Sequence, residues 1–338
     1  MTSRERVIRT LRHEPVDRAP RDLWVPHATE MLRGDEVQEM LFRYAPDLVK
    51  ADIVWPRGER AGDWPVEAGR HTDAWGCTWL VPRRGAQGVL VGHPLANPAA
   101  MARYRPPVEL LEGLDLDRVN RSAAGTSRFV LASSTTRPFE RLQLLRGPRA
   151  AMDDLDAGRP EIGRLLGLLH EFSCREMELW ASSNVDGVVL ADDWASREGL
   201  LVRAGLWREL FKPLYHDYCR ILRGRDKFVF FRSRGQIEEI LHDLVEIGVD
   251  AVRADFLSMN LDDLARRSRG RITFWGGIDH EPAFTCGKPE EVRAMVQEVR
   301  KALDFGHGGL IAHCEWGPNV PFKNVAALYE AWLEPVRM

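Results

Sequence analysis

Two arginines, Arg232 and Arg234, end an apolar run in the stretch "KFVFFRSRGQIEEI" (227–240). A guanidinium stays protonated and offers a planar fork of donors that matches carboxylate or phosphate. If the run is a strand, residues two apart share a face, so both cations point the same way. Two buried cations on one face need anions, either acids from neighbouring elements or a ligand. The other candidates also stand at the ends of apolar runs: Asp22 and Trp24; Arg137, Glu140 and Arg141; Asp192, Asp193 and Trp194; Asp255; Asp279 and His280; His313, Cys314 and Glu315. A charged pocket follows from that distribution. Arg232, Arg234, Trp24, Arg137, Trp194, Asp255, His280 and Glu315 are its candidate substrate contacts. Asp192 and Asp193 are its candidate catalytic carboxylates, and His313 and Cys314 its candidate proton donors. Plain structural roles compete with these. Asp193 could N-cap a helix starting near Ser196, Glu140 and Arg141 could pair on a helix surface, and Asp279 could cap the segment after its strand.

The elements that would position these residues are eight short apolar runs: "RAPRDLWV" near Pro20, then 49–56, 128–134, 185–193, "KFVFF" before Arg232, 249–255, 272–279 and 308–314. Most are followed by a helical pattern. Ile162, Leu165, Leu166, Leu169 and Phe172 mark one helix face, and Ile237, Ile240, Leu241, Leu244 and Ile247 another; a further helix covers 205–223. Thr2 with Glu5 is a capping-box start. Continuous apolar strands alternating with helices predict an α/β fold, a (β/α)8 TIM barrel forming one domain over 1–338. No GxGxxG follows any strand, which disfavours a doubly wound sheet. Residues 56–127 read as an excursion between strands 2 and 3, with a β-hairpin around "RRGAQG". Barrel enzymes carry their chemistry at the C-terminal strand ends, where the candidates cluster.

With 44% apolar and 29% charged residues and a net charge of −3, the chain has a globular composition without a nucleic-acid arm. No run of 18 apolar residues predicts a membrane span, and "MTSRERVIRTLRHEP" lacks the apolar core of a signal peptide, so the expected location is cytoplasmic. The five cysteines (77, 174, 219, 286, 314) are irregularly spaced with no CxxC, which argues against a disulfide framework or zinc finger.

Five segments, "TSRERVIRTLRHEPVDRAP", "LADDWASREGLLV" with "LWRELFKPLY", "GQIEEILHDLVEIGVDAV", "RITFWGGID" and "CEWGPNVPFKNVAALYEAW", occur in an order and spacing that resemble the uroporphyrinogen decarboxylase superfamily. The resemblance implies a (β/α)8 barrel. It also implies an activity among porphyrinogen decarboxylases or zinc-dependent methyltransferases that act on methylcobalamin or corrinoid proteins. The heme-pathway enzymes carry an RQAGR-type motif after the first strand, where this chain has "DLWVPHATE". The methyltransferase zinc site resembles a His-x-Cys after strand five plus a Cys after strand eight. Those positions map onto Arg232, Arg234 and Cys314, and arginine has no lone pair to give a metal. The expectation is therefore a decarboxylase-like carbon–carbon lyase outside the heme pathway. It would be metal-free and without a cofactor, and would act on a small or medium carboxylate-bearing anion. The alternative is a corrinoid-related methyltransferase, with or without zinc at Cys314, and the third reading is a non-catalytic anion-binding barrel. Strand alternation sends His313 and Cys314 to opposite faces, which works against a different zinc site. The partners implied are a small anionic molecule, with room for a homodimer and, on the alternative, a corrinoid protein; nucleic acid and membrane are not expected.

Overall fold

The computed structural model describes residues 1–54, 67–84, 86, 88–135, 137–278 and 282–335. Strands β1 (Arg21–Trp24) and β2 (Leu48–Lys50) precede a small antiparallel sheet of β3 (Gly69–Thr72), β4 (Thr78–Val81) and β5 (Val89–Gly92). The chain continues through β6 (Phe129–Ser133), β7 (Gly187–Ala191), a two-residue hairpin of β8 (Ala195–Ser196) and β9 (Gly199–Leu200), β10 (Phe228–Arg232), β11 (Ala251–Arg253), β12 (Thr273–Trp275) and β13 (Leu310–Glu315). The eight-stranded parallel sheet runs β1-β13-β12-β11-β10-β7-β6-β2. Its two ends meet where the Asp47 N–H donates to the Arg21 carbonyl at 2.7 Å. This is the expected (β/α)8 barrel.

Alternation along each strand sorts side chains into two cores. Phe129, Leu131, Val189, Ala191, Phe230, Ala251, Trp275 and Ile311 fill the barrel interior. Their sequence neighbours, including Val130, Val188, Phe231, Val252 and Ala312, pack outward among the helices. Helix α1 (Ser3–Leu11) sends Val7 and Leu11 into the interior cluster and so plugs the N-terminal end. Its start is the expected one, with the Thr2 hydroxyl accepting from the Glu5 N–H. After α2 (His27–Arg43), the short α3 (Glu109–Glu112) and α4 (Leu116–Ala124) belong to the excursion. The outer layer continues with α5 (Pro138–Arg146), α6 (Pro148–Asp156), α7 (Pro160–Ser182), α8 (Ala204–Leu210), α9 (Lys212–Arg223), α10 (Glu238–Glu246), α11 (Leu261–Ser268), α12 (Pro282–Cys286), α13 (Pro289–Leu303) and α14 (Phe322–Leu333). The helix expected over 205–223 is two helices, because Pro213 has no N–H to continue the ladder across the Phe211 junction.

In the excursion, β4 and β5 are the arms of the expected hairpin, and β3 adds a third strand whose polar residues carry no apolar alternation. The segment buttresses the helices beside the barrel. The Leu95 N–H donates to the Leu145 carbonyl, the Arg146 guanidinium donates to the Leu95 and Ala96 carbonyls, and Trp75 packs edge-on against Phe172. Arg118 of α4 pairs bidentately with Asp52, just past β2. No helix among the described residues is long and apolar enough to cross a membrane.

Candidate functional site

Strand register brings two guanidiniums together. Arg232 pairs in register with Arg253 on the neighbouring β11 and with Ala191 on β7. Ala191 faces the barrel interior, so both arginines face inward at the C-terminal end. Arg253 is 1% exposed and Arg232 11%. Glu315, ending β13, carries an Oε2 that accepts from Arg253 Nη2 at 3.1 Å and lies 3.8 Å from Arg232 Nη2. Burial, then the adjacent Arg253 charge, pulls the Arg232 pKa below its ordinary value, while Glu315 and Asp193 oppose that shift. The Arg232 Nε is buried and finds no acceptor among the described residues. An unfilled buried donor costs free energy, which an incoming anion would recover.

Arg253 escaped the sequence reading, which took Asp255 as the polar end of its strand. The signal was present: in "VDAVRAD", position 253 shares the face of 251 and 255. Lys50 was missed because the second strand was read over 49–56, which put it near the start, whereas β2 ends at Lys50. Its ammonium lies 4.8 Å from the Trp24 ring, and the Arg253 guanidinium lies 5.7 Å from it. Trp24, in register with Glu315, thus forms an aromatic wall between two cations.

One layer deeper, His313 is fully buried, and its Nδ1 is 2.7 Å from Asp22 Oδ2. The Trp275 indole N–H donates to the same oxygen at 2.8 Å, and the Tyr329 hydroxyl to the Asp22 carbonyl at 2.7 Å. The His313 ring meets Trp24 and Trp275 edge-on. Gly276, at φ +70, makes this packing feasible, since a Cβ there would come within 2.9 Å of the imidazole. The imidazole is therefore oriented by a carboxylate and walled by two indoles beneath the arginine pair.

The adjacent acids after β7 separate. Asp192 is fully buried and accepts from the N–H groups of Phe139 (2.7 Å) and Glu140 (2.8 Å) and from the Tyr215 hydroxyl (2.6 Å). It caps the first turn of α5 from a distant strand, and its oxygens are committed to that role in place of a substrate. Burial, and next the Glu140 charge, pushes its carboxyl above the ordinary carboxylate range, against the pull of the three donors. Asp193 does not cap a helix near Ser196, because the β8–β9 hairpin stands there. It accepts from the Arg234 N–H at 3.0 Å and remains partly exposed. Arg234 lies beyond the end of β10, is 59% exposed and has its Nε 3.6 Å from Asp193. It therefore does not share the inward face of Arg232, as strict alternation had predicted. Gly235, at φ +73, turns the chain beneath the hairpin so tightly that a Cβ would meet the Ser196 carbonyl at 2.3 Å.

Trp194 is not a pocket wall. It is fully buried, stacks on Phe139 at 4.2 Å, and donates its indole N–H to the Tyr215 hydroxyl. Arg137 and Glu140 form an ion pair at 3.1 Å at the start of α5, and Arg137 lies near enough to add to the positive field on Arg232. Arg141 packs over Trp75 of the excursion at 4.1 Å, so it is not the surface partner of Glu140. Asp255 Oδ2 accepts from the Gly235 N–H, while its Oδ1 is buried without a partner among the described residues. His280, with Asp279, lies outside the described residues. Cys314 faces the helix layer, fully buried in the outer core, while His313 and Glu315 face inward. A zinc site made of positions 232, 234 and 314 does not fit: two are arginines and the thiol points to the other side of the sheet. No group of three potential metal ligands assembles among the described residues.

Residues 72–334 match the family described as uroporphyrinogen decarboxylase (URO-D). The chain belongs to that family. It is 25% identical over 236 residues to the uroporphyrinogen decarboxylase of Xanthomonas euvesicatoria pv. vesicatoria (strain 85-10), and 24% identical over 237 residues to that of Xanthomonas axonopodis pv. citri (strain 306). Each alignment covers 66% of this chain and 64% of the relative's own length. Among solved structures, a methyltransferase from Methanosarcina mazei superposes with a TM-score of 0.68 at 17% identity over 98% of both chains. That likeness is one of fold, and it extends across β1 and β2, which lie before the matched family segment.

Proposed function

We propose that the protein is a decarboxylase-like carbon–carbon lyase of the URO-D family, outside the heme pathway, acting on a small or medium carboxylate-bearing anion. The observation that carries this reading is the inward pair Arg232 and Arg253, in register on neighbouring strands and bridged by a single oxygen of Glu315. Guanidiniums in that arrangement bind carboxylates bidentately. Trp24 and Lys50 border the same subsite.

In the proposed reaction the bond from the carboxylate carbon to its neighbour breaks, CO2 departs, and the electron pair remains on the substrate carbon. That carbon takes a proton from His313, which Asp22 orients; Cys314 is withdrawn from this role because it faces the helices. Asp193 takes the role of stabilising positive charge on the substrate, since the Asp192 oxygens are held by α5 and Tyr215. No resident metal is assigned, because two of the three mapped zinc positions are arginines and the third, Cys314, faces the helices. The same chemistry counts against the methyltransferase reading.

The test is CO2 release from a panel of carboxylic acids by the wild-type protein, Arg232→Met and His313→Gln. Turnover of a member of the panel that both substitutions abolish is the expected result. Methyl transfer from methylcobalamin without CO2 release would install the methyltransferase instead, and tight anion binding without turnover would install the binding barrel.

A further inference from the structure

Another guanidinium near the barrel mouth stands without a carboxylate. Arg141 lies one turn into α5, where its backbone N–H closes the turn on the Arg137 carbonyl at 2.6 Å. Residues four apart share a helix face, so Arg137 and Arg141 are neighbours. Arg137 adds to the positive field on Arg141 and also on Arg232, and so links the mouth to the excursion. Cations at this end oppose the helix dipole, which favours acids there. The Arg141 guanidinium lies 4.1 Å over the Trp75 ring, and its buried Nε finds no acceptor among the described residues. Both oxygens of the nearby Asp73 serve the excursion itself, Oδ1 accepting from the Cys77 N–H at 2.8 Å and Oδ2 from the Trp79 indole N–H at 2.9 Å. Burial pushes the Cys77 thiol up to about 12, so it is neutral, and it donates to the Leu144 carbonyl. Arg141 forms no ion pair among the described residues. A buried guanidinium in that state is one an incoming anion stabilises.

We propose that Arg141, with Arg137 beside it, forms a second anion subsite between α5 and the excursion, so that the substrate is an elongated dicarboxylate with one end on Arg232 and the other on Arg141. The proposal rests on the anion-site reading above and deepens it, because chain length becomes a criterion of selection and the excursion becomes part of the substrate site. Arg137 keeps its ion pair with Glu140 at 3.1 Å, so Arg141 supplies the fork and Arg137 the field. The contrary view makes Arg141 a clamp that holds the excursion through Trp75 alone. A clamp contributes to stability but does not distinguish one acid from another.

Isothermal titration calorimetry on the full chain with paired acids separates the two. Adipate, pimelate and azelate are compared with the monocarboxylates of equal length, hexanoate, heptanoate and nonanoate, so that the contribution of the carbon chain is shared. For at least one length the diacid should bind wild type about tenfold more tightly than its monoacid. Arg141→Met should abolish that preference. A wild type without the preference at any length overturns the proposal. So does a preference that Arg141→Met retains, even where its melting temperature falls, because Arg141 is then only a clamp. If Arg141→Met does not fold, Arg137→Met decides, with a reduced preference supporting the proposal and an unchanged one overturning it. Malonate, the shortest diacid, tests the underlying reading separately. Arg232→Met should lose malonate binding, and if it binds malonate as wild type does, the anion site at the mouth is wrong, whatever the longer acids do.

Discussion

At the N-terminal end of the barrel, the fully buried Asp47 accepts from Ser3 Oγ, Arg6 Nη1, both Arg18 Nη atoms and the Arg21 N–H, at 2.6–3.1 Å. Arg6 also forks onto Asp17 at 2.6 and 2.7 Å. At the C-terminal end, Arg232 and Arg253 share one oxygen of Glu315, and the Arg232 Nε has no acceptor among the described residues. Both ends bury charge. At the first end the donors and acceptors are matched, so the network locks α1 and the loop before β2 onto the barrel floor. At the second, the buried Arg232 Nε lacks an acceptor among the described residues, which is a state a ligand can improve. The contrast separates a structural ion network from a binding site more sharply than burial or charge alone does.

The largest effect should come from the matched end. Asp47→Ala removes the buried acceptor of five donors, leaves Arg18 without its carboxylate and Arg6 with Asp17 alone, and should cost about 3–5 kcal/mol in denaturant unfolding, with malonate affinity of the folded fraction unchanged. A similar loss of affinity would mean that the two ends are coupled. Next is Asp192→Ala, which leaves two N–H groups and the Tyr215 hydroxyl without their acceptor and should cost about 2–3 kcal/mol. It lies at the mouth yet should behave like a floor residue.

Arg232→Met should change stability by less than about 1 kcal/mol in either direction, because it relieves repulsion from Arg253 as it loses a long ion pair. It should also abolish the rise in melting temperature that malonate gives the wild type. A loss as large as that of Asp47→Ala would make Arg232 structural and erase the contrast.

Acid offers a further test. Arg6 holds the Asp17 carboxyl down to about 2, and Asp47 is also held below its ordinary value: burial raises it, but Arg18, Arg21 and Ser3 more than offset that. A folded pKa below the unfolded one means that the stabilisation is present above about pH 4 and is lost as pH falls toward the folded values. The wild-type melting temperature should therefore drop between pH 4 and pH 2, and drop less in Asp17→Asn, as followed by circular dichroism. The smallest effect belongs to Arg234→Met. Its ion pair with Asp193 is exposed, so stability should move by under about 0.5 kcal/mol and malonate stabilisation should survive.

Much of this organisation was legible in the sequence. Eight apolar runs separated by helical stripes specified the barrel, since a sheet covered on both faces needs apolar residues on both. A pair of arginines after "KFVFF" marked the mouth, and period-2 alternation already set His313 and Cys314 on opposite faces. Alternation is a local property of the pleat and holds for as long as the strand does. It failed for Arg234, because β10 ends at Arg232 and Gly235 then redirects the chain. Only the tertiary structure decided which residues meet across strands. That Arg253 stands beside Arg232, that Glu315 reaches both, and that Asp192 turns to cap α5 while Asp193 stays near the mouth all depend on inter-strand register and on helix docking. Register is fixed by closing the whole barrel at once, a non-local packing solution to which every strand contributes and which no single stretch of sequence encodes.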